Sequence, residues 1–144
     1  MITLLDYGAG NVRSVTNAIE RLGETVKVAE TGEDILSAGN LVFPGVGAFG
    51  NMMKILEQKQ FVAPLKAYLQ SNRPFFGICL GMQALFEGSE EAFGTKGLGI
   101  FRGKVKRFST DLAIPHIGWN GIRIRQPSRI FNGFGGDEKF YFVH

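Results

Sequence analysis

Apolar residues along this chain fall either in short runs or at helical spacing, and the switches between the two mark its elements. Ile2–Leu5, Thr25–Val28, Leu41–Phe43 and Pro74–Ile78 are short runs of strand length. The segments between them repeat their apolar positions at helical spacing. Val12, Val15, Ala18, Ile19 and Leu22 predict one helix, with Asn11 placed to cap it and Gly23 to end it. Gly32–Ser37 predicts a short helical segment, and Phe49–Leu56 and Phe61–Gln70 predict two longer helices. Leu80–Glu87 reads as the start of another helix, with Leu80, Ala84 and Leu85 on one face. This alternation predicts an α/β fold, an open and mostly parallel sheet with helices on both faces. After Gly97 the pattern changes to short β segments, Lys104–Phe108, Gly121–Arg125 and Phe140–Val143. No internal repeat, low-complexity tract or linker interrupts residues 1–144, so a single domain is expected.

Composition narrows the function classes. A chain of 144 residues that is 44% hydrophobic can bury one core. Its single cysteine excludes a disulfide framework and a multi-cysteine metal site, so no metal is expected, and a reducing, cytoplasmic setting is. No apolar run approaches the ~18 residues of a membrane span, and the N-terminus lacks the pattern of a signal peptide. A net charge of +3 is too small to argue for nucleic acid. The charge is uneven, because Asp111 is the only acid between Ala92 and Gly136, against Lys96, Arg102, Lys104, Lys106, Arg107, Arg123, Arg125 and Arg129. A solvated basic face explains this, and so does a surface for an acidic or phosphorylated partner.

The candidate chemistry lies in P-F-F-G-I-C-L-G-M-Q-A-L-F, Pro74–Phe86. Cys79 sits between Gly77 and Gly81 where a strand meets a helix, the thiol counterpart of the G-x-S-x-G nucleophile elbow. Side chains at the flanking positions of so sharp a turn would collide, which is why glycine is needed there. Unpaired N–H groups at the helix start favour a negatively charged sulfur. A buried structural cysteine is the commoner fate of a lone Cys, and the flanking glycines argue against it. Attack on an amide creates an oxyanion, which backbone N–H groups stabilise. Leu80, just after the nucleophile, offers one donor, and the P-G-V-G turn offers another at Val46 or Gly47. Gly45–Gly50 also fits G-x-G-x-x-G, but it follows the third strand and no acid stands about 20 residues on, so no nucleotide cofactor is expected. A thiol acyl transferase needs a base. The chain has only His116 and His144, neither followed by a nearby acid, and a capped structural histidine is the default for each.

Taken together, D-Y-G-A-G-N-V-R-S-V (Asp6–Val15), P-G-V-G-A-F (Pro44–Phe49), G-I-C-L-G-M-Q (Gly77–Gln83), S-E-E (Ser89–Glu91), K-G-L-G (Lys96–Gly99), P-H-I-G-W-N (Pro115–Asn120) and Y-F-V-H (Tyr141–His144) resemble the glutamine amidotransferase subunits of imidazole glycerol phosphate synthases. The elbow alone indicates only a class I, triad-type glutamine amidotransferase. P-G-V-G-A-F with P-H-I-G-W-N makes the match specific to this subunit. The resemblance spans the whole chain and implies the class I amidotransferase fold. It implies hydrolysis of glutamine to glutamate and ammonia, and delivery of ammonia through a channel to a (β/α)8-barrel cyclase of histidine biosynthesis. Cys79 matches the family nucleophile. Gly47, Gln83 and Glu91 match positions that hold glutamine, and Asn11, His116, Trp119 and Asn120 match the cyclase interface.

The family places its base and orienting carboxylate in a later H-P-E motif, which these residues lack. His144 matches the histidine of an earlier segment that is not the base. The chain therefore resembles roughly the first two-thirds to three-quarters of the subunit, and catalysis by these residues alone is not expected. Lys139–Val143 is an apolar, aromatic strand, which predicts that the reading frame continues. Two other readings stay open on the sequence: a non-catalytic module that binds a barrel partner, and an amidotransferase serving another acceptor.

Overall fold

The computed structural model describes residues 1–144. These residues divide into two compact units, Met1–Arg107 and Phe108–His144. No helix is long and apolar enough to cross a membrane.

The first unit is built on four parallel strands, β1 (Ile2–Leu5), β2 (Val26–Ala29), β3 (Leu41–Gly45) and β4 (Phe75–Cys79), in the order β2-β1-β3-β4. Helices α1 (Val12–Arg21), α2 (Gly32–Ser37), α3 (Phe49–Gln58) and α4 (Val62–Gln70) connect them. Strand residues alternate between two cores because successive side chains point to opposite faces. Leu5, Leu41 and Phe43 join Ile35 of α2, Met52, Met53 and Leu56 of α3, and Leu65 and Tyr68 of α4 in the larger core. Leu4 and Val42 face the other way and meet Val12, Val15 and Ile19 of α1. The parallel sheet with helices on both faces is thus the one the periodicity predicts.

Local chemistry sets the helix ends. Thr31 and Asp34 form a reciprocal capping box at α2: the Asp34 N–H donates to Thr31 Oγ1 (3.2 Å) and the Thr31 N–H donates to Asp34 Oδ2 (3.0 Å). Asn11 differs from expectation. Its backbone is left-handed (φ 55°), and its Oδ1 accepts from the Ser14 hydroxyl (2.8 Å) instead of a helix N–H. Ala18 and Leu22, expected on the buried stripe of α1, are exposed, so Val12, Val15 and Ile19 alone face the sheet.

The helix expected over Leu80–Glu87 is a single turn, α5 (Leu80–Gln83). The next carbonyls are taken from outside the helix. Leu98, Ile100 and Gly99 donate their N–H groups to the carbonyls of Ala84 (2.7 Å), Leu85 (2.8 Å) and Phe86 (3.1 Å). Gly97 permits this approach, because a Cβ there would overlap the Phe86 carbonyl. Leu80, Ala84 and Leu85, expected on one face, are all buried. Beyond α5, β5 (Gly88–Ser89) pairs in parallel with β6 (Lys104–Val105), a shorter strand than the Lys104–Phe108 segment expected.

The second unit is an antiparallel pair, β7 (Ile117–Gly121) with β8 (Lys139–Val143). The strand expected at Gly121–Arg125 is absent, and the P-H-I-G-W-N stretch forms the strand instead. Pairing chooses between the two segments: Ile117 opposes Val143 and Trp119 opposes Tyr141, with the two rings 5.3 Å apart.

Candidate active site at the carboxyl ends of three strands

In a parallel sheet the loops that follow the strands gather at one edge, and ligands bind where the connections diverge. Here β1 leads back to β2 on one side while β3 lies on its other side, so the divergence falls between β1 and β3. Asp6–Asn11 follow β1, Val46–Ala48 follow β3, and Cys79 ends β4. The β3–β4 register pairs Gly45 with Cys79, which sets the Val46–Gly47 turn beside the sulfur-bearing residue.

Cys79 is exposed and holds φ 53°, ψ −114°, a conformation that costs a residue with a Cβ about 1–3 kcal/mol. Three glycines make the elbow possible by close approach. A Cβ on Gly77 would lie 2.8 Å from both Cα and N of Met82, one on Gly45 would lie 2.7 Å from Leu80 Cβ, and one on Gly81 would overlap the Phe43 carbonyl oxygen. The elbow is thus folded onto itself and pressed onto β3. With α5 only one turn long, the helix dipole behind the sulfur is small. Leu80 is buried beneath the elbow, and Gln83 lies one turn on in α5.

The turn after β3 is held from two sides. The Tyr7 hydroxyl donates to the Val46 carbonyl (2.9 Å) and accepts from the Val46 N–H (3.1 Å). Tyr7 is buried, with its ring edge-on to Phe43. Burial raises its pKa; the bond to Val46 acts in the opposite sense, and the nearby Cys79 and Asp6 charges add to the rise. Downstream, the Phe49 N–H at the start of α3 donates to Glu91 Oε2 (3.2 Å). Glu91, assigned to glutamine by resemblance, here anchors the segment after the elbow to the turn after β3. Gly47 carries φ 96°, a left-handed conformation that suits glycine.

Val46, Gly47, Cys79, Leu80, Gln83, Glu91 and Asn11 therefore share the first unit. His116, Trp119 and Asn120 belong to the second. There His116 Nε2 meets Asn120 Oδ1 (3.1 Å), and His116 Nδ1 meets His144 Nε2 (3.1 Å). An amide oxygen only accepts, so His116 carries a proton on Nε2; in its neutral form, His144 then donates to Nδ1. Trp119 is 68% exposed, on the same face of the strand pair as Ile117, Tyr141 and Val143. Among the described residues, no group of three or more His, Cys, Asp or Glu side chains is placed to hold a metal.

Tyr7 was not among the sequence candidates. Its one available signal was its position directly after the first strand, where a buried tyrosine requires a hydrogen-bond partner.

A cysteine at φ 53° at the carboxyl edge of a parallel sheet, next to a glycine-rich turn, has the backbone form of a nucleophile elbow bearing a thiol. The family profile described as glutamine amidotransferase class-I matches residues 3–144. The chain is 46% identical over 144 residues to the imidazole glycerol phosphate synthase subunit HisH of Desulfitobacterium hafniense, covering 100% of this chain and 68% of that protein. It is 48% identical to the chloroplastic imidazole glycerol phosphate synthase hisHF of Arabidopsis thaliana, of which it spans 24%. A crystal structure of a glutamine amidotransferase shares the fold with a TM-score of 0.68 and 19% identity, over 83% of this chain and 62% of that one. The chain belongs to the class-I glutamine amidotransferases and, within them, to the HisH subunits of imidazole glycerol phosphate synthase.

Proposed function

We propose that this chain carries the glutaminase site of an imidazole glycerol phosphate synthase, with Cys79 as the nucleophile. The thiolate adds to the carboxamide carbon of glutamine, the carbonyl π pair moves to oxygen, and a tetrahedral oxyanion forms. Collapse expels the amide nitrogen, which leaves as ammonia after gaining a proton, and the glutamyl group remains as a thioester. Water then releases glutamate and regenerates the thiol. The Leu80 N–H and a donor from the Val46–Gly47 turn are the oxyanion donors in this reading. Losing one such donor costs on the order of 10²–10³ in rate. Gln83 and Glu91 stand on the segment after the elbow and Gly47 on the turn beside it, which suits the binding of one glutamine.

Ammonia then passes to a cyclase subunit of (β/α)8-barrel fold. There it reacts with a phosphoribulosyl-formimino aminoimidazole carboxamide ribonucleotide to give imidazole glycerol phosphate and an aminoimidazole ribotide. By resemblance, the exposed Trp119 on one face of the strand pair, His116 and Asn120 on the other, and Asn11 of the first unit are each assigned to that partner. The relatives carry the synthase name, which favours this reading over a non-catalytic module or another acceptor.

The single observation that carries the proposal is the strained φ of Cys79 on a turn whose glycines admit no side chain. The test is steady-state release of glutamate by the product of the full reading frame, with and without the cyclase. Glutaminase activity that rises with the cyclase and disappears in Cys79→Ala is expected. Equal activity in wild type and Cys79→Ala would overturn the assignment.

A further inference from the structure

The residue that commands the turn beside Cys79 is Tyr7. Its hydroxyl holds both polar groups of Val46, donating to the carbonyl at 2.9 Å and accepting from the N–H at 3.1 Å. A phenol has one proton to give, so the bond to the carbonyl uses its donor and the bond from the N–H fills a lone pair. Little freedom remains to the tyrosine. Its side chain is 2% exposed and its ring packs edge-on to Phe43 at 5.9 Å. The loop that follows it is pressed onto the same turn, since a Cβ on Gly10 would lie 3.0 Å from the Pro44 carbonyl oxygen. The Val46 side chain, by contrast, is 49% exposed, so residue 46 presents its backbone inward and its side chain outward.

The two N–H groups of the turn are thereby placed in different states. The Val46 N–H is occupied by a neutral oxygen. The Gly47 N–H lies antiparallel to the anchored Val46 carbonyl across a planar trans peptide, and so points away from Tyr7. Because Val46 follows Gly45, the register partner of Cys79, its N–H is the first donor beyond the strand end beside the sulfur-bearing residue. With Val46 read as the oxyanion donor, the oxyanion and the tyrosine hydroxyl need the same hydrogen.

We propose that Tyr7 is a positioning residue for the acyl-transfer site, and that its hydroxyl competes with the developing oxyanion for the Val46 N–H. The inference rests on the reading of Cys79 as nucleophile and Val46 as oxyanion donor. It adds a restraint on turnover: in the conformation seen here, the site reaches full oxyanion stabilisation only when the tyrosine gives up the Val46 N–H. Burial, which raises the tyrosine's pKa, keeps the hydroxyl neutral and the restraint in place through the neutral pH range.

The test compares wild type with Tyr7→Phe, made in the product of the full reading frame and assayed for glutamine hydrolysis with the cyclase absent and present. The substitution keeps the ring against Phe43 and removes only the competing oxygen. A neutral hydrogen bond of this kind corresponds to roughly a 3- to 10-fold factor in an equilibrium. The proposal therefore predicts a rise in kcat of about 3- to 10-fold without cyclase, with KM changed less than about twofold. A merely structural tyrosine would give a lower kcat. An unchanged or lower kcat overturns the proposal, the lower value assigning to Tyr7 the orientation of the Gly47 N–H instead. Glutamate γ-semialdehyde supplies a second readout. The Cys79 thiolate adds to its aldehyde carbon, a C–S bond forms, and the oxygen of the hemithioacetal occupies the oxyanion position. Its affinity is expected to rise in Tyr7→Phe by the same factor, while the rate of Cys79 alkylation by iodoacetamide is unchanged. In the wild type, the adduct is expected to shift the Val46 amide resonance. Absence of that shift overturns the proposal whether or not the variant folds. A wild type that neither hydrolyses glutamine nor forms the adduct sinks the parent reading, whereas an active wild type with an indifferent variant sinks this inference alone.

Discussion

Adding one methyl group to Gly77 or Gly81 tests the claim that the elbow exists because no side chain fits around it. A Cβ on Gly77 would stand 2.8 Å from Met82 Cα and N and 2.9 Å from the Gly81 carbonyl carbon, against an ordinary contact that begins at 3.4 Å. The gap must open by about 0.6 Å, and every atom met is main chain, so no rotamer change relieves it. Overpacking of this kind costs about 1–3 kcal/mol. Gly77→Ala is expected near the top of that range. Gly81→Ala, whose Cβ would overlap the Phe43 carbonyl oxygen in the adjoining strand β3, is expected at about 3 kcal/mol or more. With a urea slope of about 2 kcal/mol/M, 3 kcal/mol moves the unfolding midpoint down by about 1.5 M, which circular dichroism resolves easily. Gly39→Ala is the matched control. Nothing lies within 4 Å of its would-be Cβ and its φ is not left-handed, so no loss is expected, and restriction of the unfolded chain adds about 0.4–1 kcal/mol. If Gly77→Ala and Gly81→Ala unfold at the wild-type midpoint, the steric account of the elbow is wrong.

Two further outcomes follow from the first unit. The buried Tyr68 donates its hydroxyl to the Pro74 carbonyl at 2.6 Å, just before β4. That carbonyl also accepts from the Leu41 N–H (3.1 Å), so Tyr68→Phe removes one of its two bonds and is expected to lose about 1 kcal/mol in denaturant titration; no loss would mean that the hydroxyl's bond contributes nothing net. Asp34 has a carboxyl held well below the usual carboxylate range by Lys27 first, then by the Thr31 hydroxyl and the backbone N–H groups of Glu30 and Thr31. A depressed folded-state value stabilises the protein above the unfolded value, near pH 4, and the contribution fades as pH falls through the folded one. Asp34→Asn is expected to be less stable than wild type at pH 7, with the two converging in acid. A difference independent of pH would refute the linkage.

Much of this arrangement was legible in the residues. The four strands follow from short apolar runs and α1, α3 and α4 from helical spacing, and Gly77 and Gly81 mark the elbow because the chain turns sharply there. The misreadings came from bonds between residues distant in sequence. Leu80–Glu87 has the apolar spacing of a helix, but Leu98, Gly99 and Ile100 take the carbonyls that would extend it. Ile122–Arg125 alternates like a strand, yet β8 pairs with Ile117–Gly121, where Trp119 can meet Tyr141. The bonds of Tyr7 depend on β1 lying beside β3, a neighbour relation that no local pattern encodes. From the sequence alone, the P-G-V-G turn is a supplier of N–H groups at Val46 or Gly47. In the folded chain it is tied at Val46 by Tyr7 and, two residues beyond the turn, at Phe49 by Glu91.

The central claim is that Cys79 attacks the carboxamide carbon of glutamine, and a diazoketone analogue of glutamine tests it most directly. Protonation of the diazo carbon followed by displacement of dinitrogen leaves a stable thioether on the attacking sulfur, which peptide mass spectrometry locates. With the product of the full reading frame, the account predicts a single adduct, on the peptide containing Cys79, whose formation excess glutamine prevents. Labelling elsewhere, or labelling of Cys79 that glutamine does not slow while glutaminase activity survives, would contradict it.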